Sequence, residues 1–286
     1  MQPIDRLFAT AIVLAWSFNF IVAKYVLQEL PPFLLGGIRF VLVVFPAIFF
    51  VPRPKLPWRI ILYYGLTISL GQFGLLFLAL HVGMPAGLAS LVLQTGVFFT
   101  VILSAFLLRE KLRRGSILGI MLAFCGLLLC YYGGTPEQMS RMGLILTLLA
   151  ALSWAVGNIV LKRAQAASMI SLVVWGGLVP PLPFFLLSLW LEGPALISQS
   201  LLNITWVSVA SLFYLVFIAT GLAYALWGLL YSRYAISRIT PITLYVPVVS
   251  MLLAYVFLNE ILEPLQWLGV LIVFAGLYAH TQALRG

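Results

Sequence analysis

Long apolar stretches separated by short polar connections occupy almost the whole chain. A helix needs about 20 mostly apolar residues to cross a bilayer, and continuous apolar runs favour helices over the alternating strands of a barrel. Divided at charges, prolines and polar clusters, the sequence predicts ten transmembrane helices at residues 7–27, 33–51, 59–80, 86–108, 115–132, 142–161, 170–191, 205–231, 239–258 and 264–283.

The composition excludes a water-soluble fold of this size. Of the 286 residues, 63% are hydrophobic and 8% are charged, whereas soluble domains average about 45–50% apolar and about 25% charged residues. The mean hydropathy of +1.13 agrees with this imbalance, and the surplus apolar surface has to face lipid. We therefore predict an all-α integral membrane protein whose first partner is the lipid bilayer.

The basic residues test this helix count, because membrane proteins concentrate Lys and Arg in cytoplasmic loops. Ten crossings put both termini on one side, and that side holds thirteen of the sixteen basic residues: Arg6, Arg53, Lys55, Arg59, Arg109, Lys111, Arg113, Arg114, Lys162, Arg163, Arg233, Arg238 and Arg285. The other side keeps Lys24, Arg39 and Arg141 with five of the seven acids, namely Glu29, Glu137, Glu192, Glu260 and Glu263. Both termini are therefore predicted to be cytoplasmic. The formal charge of +9 is an orientation signal and implies no nucleic-acid partner.

The two halves of the chain contain an internal repeat. A glutamate followed by glycines nine and sixteen residues later occurs twice, as Glu110-Gly119-Gly126 and Glu260-Gly269-Gly276. A second pattern also recurs at constant spacing, as Trp16, Ile21, Val22 and Lys24 and then as Trp154, Ile159, Val160 and Lys162. Helices one to five (residues 1–135) therefore form one repeat, and helices six to ten (residues 136–286) form the other.

An odd number of crossings per repeat means that the two repeats cross the membrane in opposite directions. Inverted repeats are typical of secondary transporters, in which two similar gates enclose one site near the midplane. The sequence therefore predicts a carrier of a small molecule. A gene duplication without a transport function is the alternative that the symmetry leaves open.

Several motifs carry a resemblance to a known family: the two Glu-Gly-Gly patterns, Trp16-Ser17-Phe18-Asn19, Gly37-Ile38-Arg39-Phe40, residues 84–90 (Met-Pro-Ala-Gly-Leu-Ala-Ser) and Gln94. The chain resembles the EamA family of the drug/metabolite transporter superfamily along nearly its whole length. Within it, residues 46–94 look most like bacterial exporters of cysteine and O-acetylserine, to which broad-range and aromatic amino acid exporters are related. The resemblance implies a ten-helix bundle that exports amino acids or related metabolites through a bacterial inner membrane. Fold alone does not determine the ligand.

Polar residues inside a span are costly and usually face the bundle or a wet cavity. Helical spacing places Trp16 with Asn19 on one face of helix one, and Trp154 with Asn158 on one face of helix six. The expected substrate-binding residues are Trp16, Asn19, Gln72, Gln94, Trp154, Asn158, Tyr224, Trp227 and Tyr245, with Thr220 and Tyr231 on the same stripe of helix eight. Amides and hydroxyls suit the ends of a small zwitterion, and aromatic rings suit its side chain and its ammonium. The alternative is that these groups only join helices.

Three residues near the outer face are candidates for an outer gate or for coupling: Lys24, Arg39 and His81. The long chains of Lys24 and Arg39 favour snorkelling outward to the interface. Pairing of either one with Glu29 or Glu260 would instead form an outer gate.

Proline and the titratable residues limit how such a carrier works. Pro247 frees a backbone carbonyl near Thr243, which predicts either a hinge or a static kink. No carboxylate lies in the middle of a span, so a buried-acid proton antiporter is disfavoured and facilitated diffusion or exchange is expected, with His81 able to couple weakly. No Walker A motif and no metal-ligand spacing occur in the sequence, so we expect no cofactor and no metal.

Other functions remain as alternatives. Drug or nucleotide-sugar efflux is the second transport function, although no basic cluster for a nucleotide lies in mid-membrane. A membrane enzyme is disfavoured, because the spans hold no Ser/His/Asp arrangement and no carboxylate pair. A structural or receptor-like protein is disfavoured by the inverted halves.

Overall fold

The computed structural model describes residues 2–110, 112–135, 139–164, 168–234 and 239–285, and every regular element in these ranges is a helix. Ten helices are long and apolar enough to cross a membrane, as predicted. Nine of them are α1 Pro3–Val26, α2 Pro32–Phe49, α3 Trp58–His81, α4 Ala86–Leu108, α5 Arg114–Gly133, α6 Arg141–Lys162, α8 Trp206–Leu230, α9 Pro241–Leu258 and α10 Pro264–Ala283. Lys111, Glu137 and Arg238 lie outside the described residues, as do the side chains of Arg163, Tyr231 and Arg285.

The seventh crossing, α7, consists of helices Met169–Gly176 and Pro181–Leu187 and a π-helical turn, Ser188–Glu192. At one end of the bundle Trp175 Nε1 donates to the Val51 carbonyl, and at the other end the Phe33 amide donates to Glu192. The chain therefore crosses between residues 169 and 192, in agreement with the predicted 170–191. Hydropathy alone marks Pro181–Leu202 as the span, but its second half is a separate helix, Gly193–Leu202, that begins at a positive φ of 81°.

Three interruptions of helical geometry recur about 150 residues apart. They are a π-helical segment (Gly65–Gln72 in α3, Tyr214–Leu222 in α8), the start of a new α-helical segment (Gly96 within α4, Tyr245 after the 3-10 turn that begins α9), and a left-handed residue at a helix end (Arg109 with φ 55°, Asn259 with φ 53°). The left-handed conformation is uncommon outside glycine. It occurs here at two matched positions of the repeated sequence pattern.

The repeated glycines bring α5 and α10 together as an antiparallel pair. A Cβ atom at Gly126 would lie 2.5 Å from the carbonyl oxygen of Gly269, and one at Gly119 would lie 2.6 Å from that of Gly276. Small residues permit such a close approach of two membrane helices. In the sequence pattern Gly119 matches Gly269 and Gly126 matches Gly276. In the structure the partners are exchanged, so that Gly119 contacts Gly276 and Gly126 contacts Gly269.

The side of α2 that faces the bundle is determined by α7. Phe184 of α7 is fully buried, occupies the space that a Cβ at Gly36 would need, 2.8 Å away, and stacks on Phe40 with ring centroids 6.1 Å apart. This packing holds α2 against α3 and α7. Arg39, the neighbour of Phe40, is consequently buried in the bundle.

Replacing Gly126 by Ala is expected to destabilise the protein by roughly 1–3 kcal/mol, because the added methyl group meets a backbone carbonyl that cannot move independently. The measurement is the thermal unfolding temperature in detergent. The matched control is Gly228→Ala, since a Cβ at Gly228 has no atom within 4 Å. Equal unfolding temperatures for the two variants would contradict the close α5–α10 contact.

Candidate functional site

Three glutamates at the predicted outer end of the bundle each bind the first amide groups of a membrane helix. These amides have no acceptor within their own helix and carry its positive dipole end. The pairs are Glu192 with Phe33 and Leu34 at the start of α2 (2.6 and 3.1 Å), Glu260 with Ala86 and Gly87 at the start of α4 (2.7 and 3.0 Å), and Glu29 with Thr205 beside α8 (3.0 Å). Each acid comes from a different helix end, so the bonds hold separate helices together.

Lys24 extends these contacts from α1. Its ammonium donates to the carbonyls of Leu80 (3.2 Å) and Met84 (2.7 Å) at the end of α3. It therefore binds the α3–α4 connection just before the turn that Glu260 holds, in place of the free interfacial position that snorkelling predicts. We call Lys24, Glu29, Glu192 and Glu260 the outer seal.

The ionisation of Glu29 depends on the same bonds. Hydrogen bonds from Ser208, then from the amide and hydroxyl of Thr205, lower the pKa of Glu29. Because a lowered pKa favours the charged form, this carboxylate stays ionised at neutral pH. Its contribution to holding α8 is lost only as the pH falls through that lowered pKa.

Three of the predicted aromatic residues form one cluster between α1 and α8. The Trp16 ring lies 5.5 Å from that of Tyr224 in a tilted arrangement and 5.3 Å from that of Trp227 in an edge-to-face arrangement. Trp16 Nε1 donates to the carbonyl of Ala219 (3.2 Å), which lies in the π-helical segment of α8. Trp16, Tyr224 and Trp227, the aromatic cluster from here on, are therefore held in a defined arrangement.

Arg39 lies next to this cluster and does not snorkel. Its side chain is only 2% exposed, and its Nη2 donates to Asn19 Oδ1 (3.3 Å) and Thr220 Oγ1 (3.1 Å). Asn19 is one turn from Trp16 on α1, and Thr220 is one turn from Tyr224 on α8. The outward orientation predicted for Arg39 is thus wrong, because the α2–α7 packing turns this residue inward.

Two phenylalanines of α3 complete the surroundings of Arg39. The guanidinium carbon lies 4.4 Å from the centre of the Phe73 ring and 5.6 Å from that of Phe77. The sequence argument missed both rings, although their i, i+4 spacing shows that they share a helix face. Gln72, which precedes them, is buried with its Oε1 unpartnered.

Gln94 binds a backbone group and not the cluster. Its Nε2 donates to the carbonyl of Thr243 (3.1 Å), four residues before Pro247. This is the carbonyl that proline leaves without a helical donor. This carbonyl therefore receives a donor from α4.

Trp154 and Asn158 lie at a different helix interface. Trp154 packs against Gly96, where a Cβ would approach its ring to 2.6 Å, and Asn158 Nδ2 donates to Thr100 Oγ1 (3.4 Å). Both contacts join α6 to the second half of α4. The structure therefore separates this pair from Trp16 and Asn19.

Tyr245 and His81 lie apart from both groups. Tyr245 is 64% exposed and shares its face of α9 with exposed Val248 and Leu252, a stripe that suits lipid. His81 is exposed at the end of α3. We therefore leave both residues out of the candidate site.

The opposite end of the bundle contains two ion pairs. The repeat counterparts of Lys24 and Glu260, which are Lys162 and Glu110, bind each other at 2.6 Å and are about half exposed. Arg233 binds Asp5 at 2.6 Å, and Tyr234 donates to the same carboxylate. Lys24 and Glu260 thus bind backbone groups at one end of the bundle. Lys162 and Glu110, at the matched sequence positions, form an accessible ion pair at the other end.

Two cavities of the bundle are not lined by the aromatic cluster or by Arg39, Asn19 and Thr220. A groove of about 360 Å³ lies between α1, α8 and α9, with Leu14, Phe18 and Tyr214 in its wall, and a smaller one of about 230 Å³ adjoins Glu260. Both are lined mainly by apolar side chains. Within the described residues, no group of three His, Cys, Asp or Glu side chains could hold a metal ion.

Comparisons with known proteins agree on one family. The model of the EamA-like transporter family matches residues 6–132 and 141–281. Two curated relatives, both named probable amino-acid metabolite efflux pump, come from Salmonella typhimurium (48% identical) and Escherichia coli (46% identical); each alignment covers 100% of this chain and 97% of the relative. A crystal structure 20% identical in sequence has a TM-score of 0.62 over 100% of this chain and 99% of that chain, which indicates the same fold.

Replacing Glu260 by Ala is expected to open the outer seal, because the first amides of α4 then lose a charged acceptor. A cysteine probe placed at Ser90, which is buried in α4, should then become accessible from outside. Its labelling rate should rise about tenfold or more, since hydrogen bonds to a charged group are lost. The measurement is the reaction with a membrane-impermeant maleimide in intact cells, with Cys125 and Cys130 replaced by Ala. The control is Glu110→Ala, the repeat counterpart at the opposite end. Equal labelling rates of the Ser90→Cys protein with and without Glu260→Ala would show that this carboxylate does not close the outer end.

Proposed function

The chain belongs to the EamA-like transporter family, and from this premise we propose that it exports amino acids or related small metabolites across a bacterial inner membrane. The family and the ten apolar helices make it a multi-pass membrane transporter. The substrates that we propose are small neutral and aromatic amino acids, including cysteine and O-acetylserine. Both termini are proposed to lie in the cytoplasm, from the distribution of Lys and Arg.

The observation that carries this proposal is the joint placement of the aromatic cluster with Asn19, Thr220 and Arg39. Amide, hydroxyl and aromatic groups converge on one point of the bundle from α1, α2 and α8. Sites for small ligands combine an apolar or aromatic wall with a few placed polar groups. The two relatives named as efflux pumps, identical to this chain at nearly half of their positions, support the same substrate class.

Alternating access between inverted repeats is the proposed mechanism. The matched backbone interruptions and the reciprocal glycine contacts of α5 and α10 support the repeat. The outer seal closes one end by bonds between different helices, while Lys162 and Glu110 are accessible at the other end. We therefore infer that the structure represents a state closed to the outside. Export requires the outer seal to break while the opposite end closes.

The driving force follows from the charges near the site. Among the described residues Arg39 has no ion pair, and Asp5, Glu29, Glu110, Glu192 and Glu260 all bind partners at helix ends. Proton-coupled carriers usually bury such a group. Facilitated export or exchange is therefore proposed. Drug or nucleotide-sugar efflux, the alternative within the superfamily, is an outcome that the following experiment can return.

Purified protein in liposomes is expected to take up labelled amino acids without an imposed pH gradient. Trp16→Ala should lower this uptake on the order of tenfold, because truncating a packed aromatic residue of a binding site typically costs more than 1 kcal/mol. Trp190→Ala, at a 79% exposed tryptophan, is the matched control and should transport normally. Uptake no greater than in empty liposomes for the whole panel, with or without a pH gradient, would reject amino acid export.

A further inference from the structure

Arg39 is a buried cation without a counter-charge. It lies seven residues into α2 from Pro32, which is about 10 Å along the helix axis, and it is 2% exposed. The two ion pairs among the described residues are Lys162–Glu110 and Arg233–Asp5. No described carboxylate therefore neutralises this guanidinium.

The hydrogen bonding of Arg39 is also incomplete. Nη2 uses its hydrogens on Asn19 and Thr220, both neutral acceptors. Nε and Nη1 are buried and have no partner in the described structure. A guanidinium has five donors in a planar fork and cannot lose its proton in a protein. The Arg39 guanidinium therefore keeps its full positive charge inside the bundle, with Nε and Nη1 unused.

The neighbours of Arg39 orient it without satisfying it. Phe73 and Phe77 lie against the guanidinium and attract it through their ring faces. Rings accept no conventional hydrogen bond, so Nε and Nη1 remain available. Burying an unpaired charge is expensive, and natural proteins usually retain one only where it has a partner or a function.

We propose that Arg39 binds the carboxylate of the transported molecule, so that the substrate class is small monocarboxylates whose remaining part contacts the aromatic cluster. This inference rests on the proposed transport function and assigns the charge selectivity of its site. Carboxylate oxygens are acceptors only, and guanidinium–carboxylate bonds are among the stronger hydrogen bonds in proteins. A single cation flanked by an amide and a hydroxyl matches a ligand with one negative charge. A nucleoside diphosphate would need several cationic side chains.

A purely structural role is the competing explanation. Nη2 already connects α2 to α1 and α8 through Asn19 and Thr220, and a residue that only did this would affect all ligands equally. A carboxylate-binding residue affects only ligands that carry a carboxylate. The two roles are therefore separated by comparing ligands that differ at that group alone.

The experiment measures binding to the purified full-length protein by ligand-induced thermal stabilisation. The probes are L-phenylalanine, its carboxamide and its N-acetyl derivative, and the same three forms of L-cysteine under reducing conditions. The wild type should bind the free and N-acetylated acids within about threefold of each other and the carboxamides about tenfold or more weakly, the loss expected for a hydrogen bond to a charged group. Wild-type protein that binds the carboxamides as well as the acids overturns the proposal, whatever the variants do.

The variants then assign the preference to Arg39. Arg39→Gln should abolish the preference for acids, and Arg39→Lys should retain part of it because the charge is kept. The control is Arg53→Gln, because Arg53 also lies over an aromatic ring, 4.1 Å from the centre of Trp58, but is exposed. Equal weakening of all probes in Arg39→Gln would establish a structural role and reject the proposal. If Arg39→Gln does not fold, Arg39→Lys and the wild-type preference decide.

Failure of this inference differs from failure of the transport function. Carboxylates that bind in an Arg39-dependent way but are not carried into liposomes would leave the site standing and reject amino acid export. Amino acids that are carried equally well by Arg39→Gln would leave export standing and reject the carboxylate site.

Discussion

In a hydrocarbon layer the backbone has no water to bind, so every helical hydrogen bond that is interrupted has to be replaced from within the chain. The structure makes these replacements with side chains of other helices. Gln94 binds the carbonyl that Pro247 leaves free. Lys24 binds carbonyls in the last turn of α3 and in the α3–α4 connection. Glutamates bind the first amides of α2 and α4 and the amide of Thr205 just before α8. Because each replacement bond joins two helices, satisfying the backbone also determines how the bundle is assembled.

The same constraint divides the polar residues of the spans into two groups. Gln94, Ser17 and Ser250 donate hydrogen bonds to backbone carbonyls of a neighbouring helix. These donors therefore join helices. Asn19 and Thr220 bind Arg39 instead. Arg39 itself leaves Nε and Nη1 without a partner, and buried donors without a partner are what a ligand site would offer. Sequence position cannot separate these groups, since all of these residues occupy similar depths of apolar stretches.

Length and hydropathy predict the ten crossings well, because the requirement for about 20 apolar residues allows few other divisions of this chain. Even the interrupted α7 keeps its predicted bounds, since its ends are marked by polar contacts. The rotation of a helix about its own axis is harder to predict. Arg39 faces inward because Phe184 packs against Gly36, and Tyr245 lies on the exposed face of α9. Both orientations follow from packing between distant segments, which hydrophobic periodicity does not specify in a helix that is apolar all round.

The placement of the acids explains how a buried cation can persist in the proposed carrier. Glu29, Glu192 and Glu260 are bound to helix amides at one end, and Glu110 and Asp5 are paired at the other. None of these five carboxylates is available to neutralise Arg39. Moving one of them inward would break the hydrogen bonds or the ion pair that it makes at a helix end. In the proposed site, the charge of Arg39 is then balanced by the ligand. A carrier built in this way would select anionic groups without needing a titrating acid beside the substrate, as the proposed facilitated export or exchange requires.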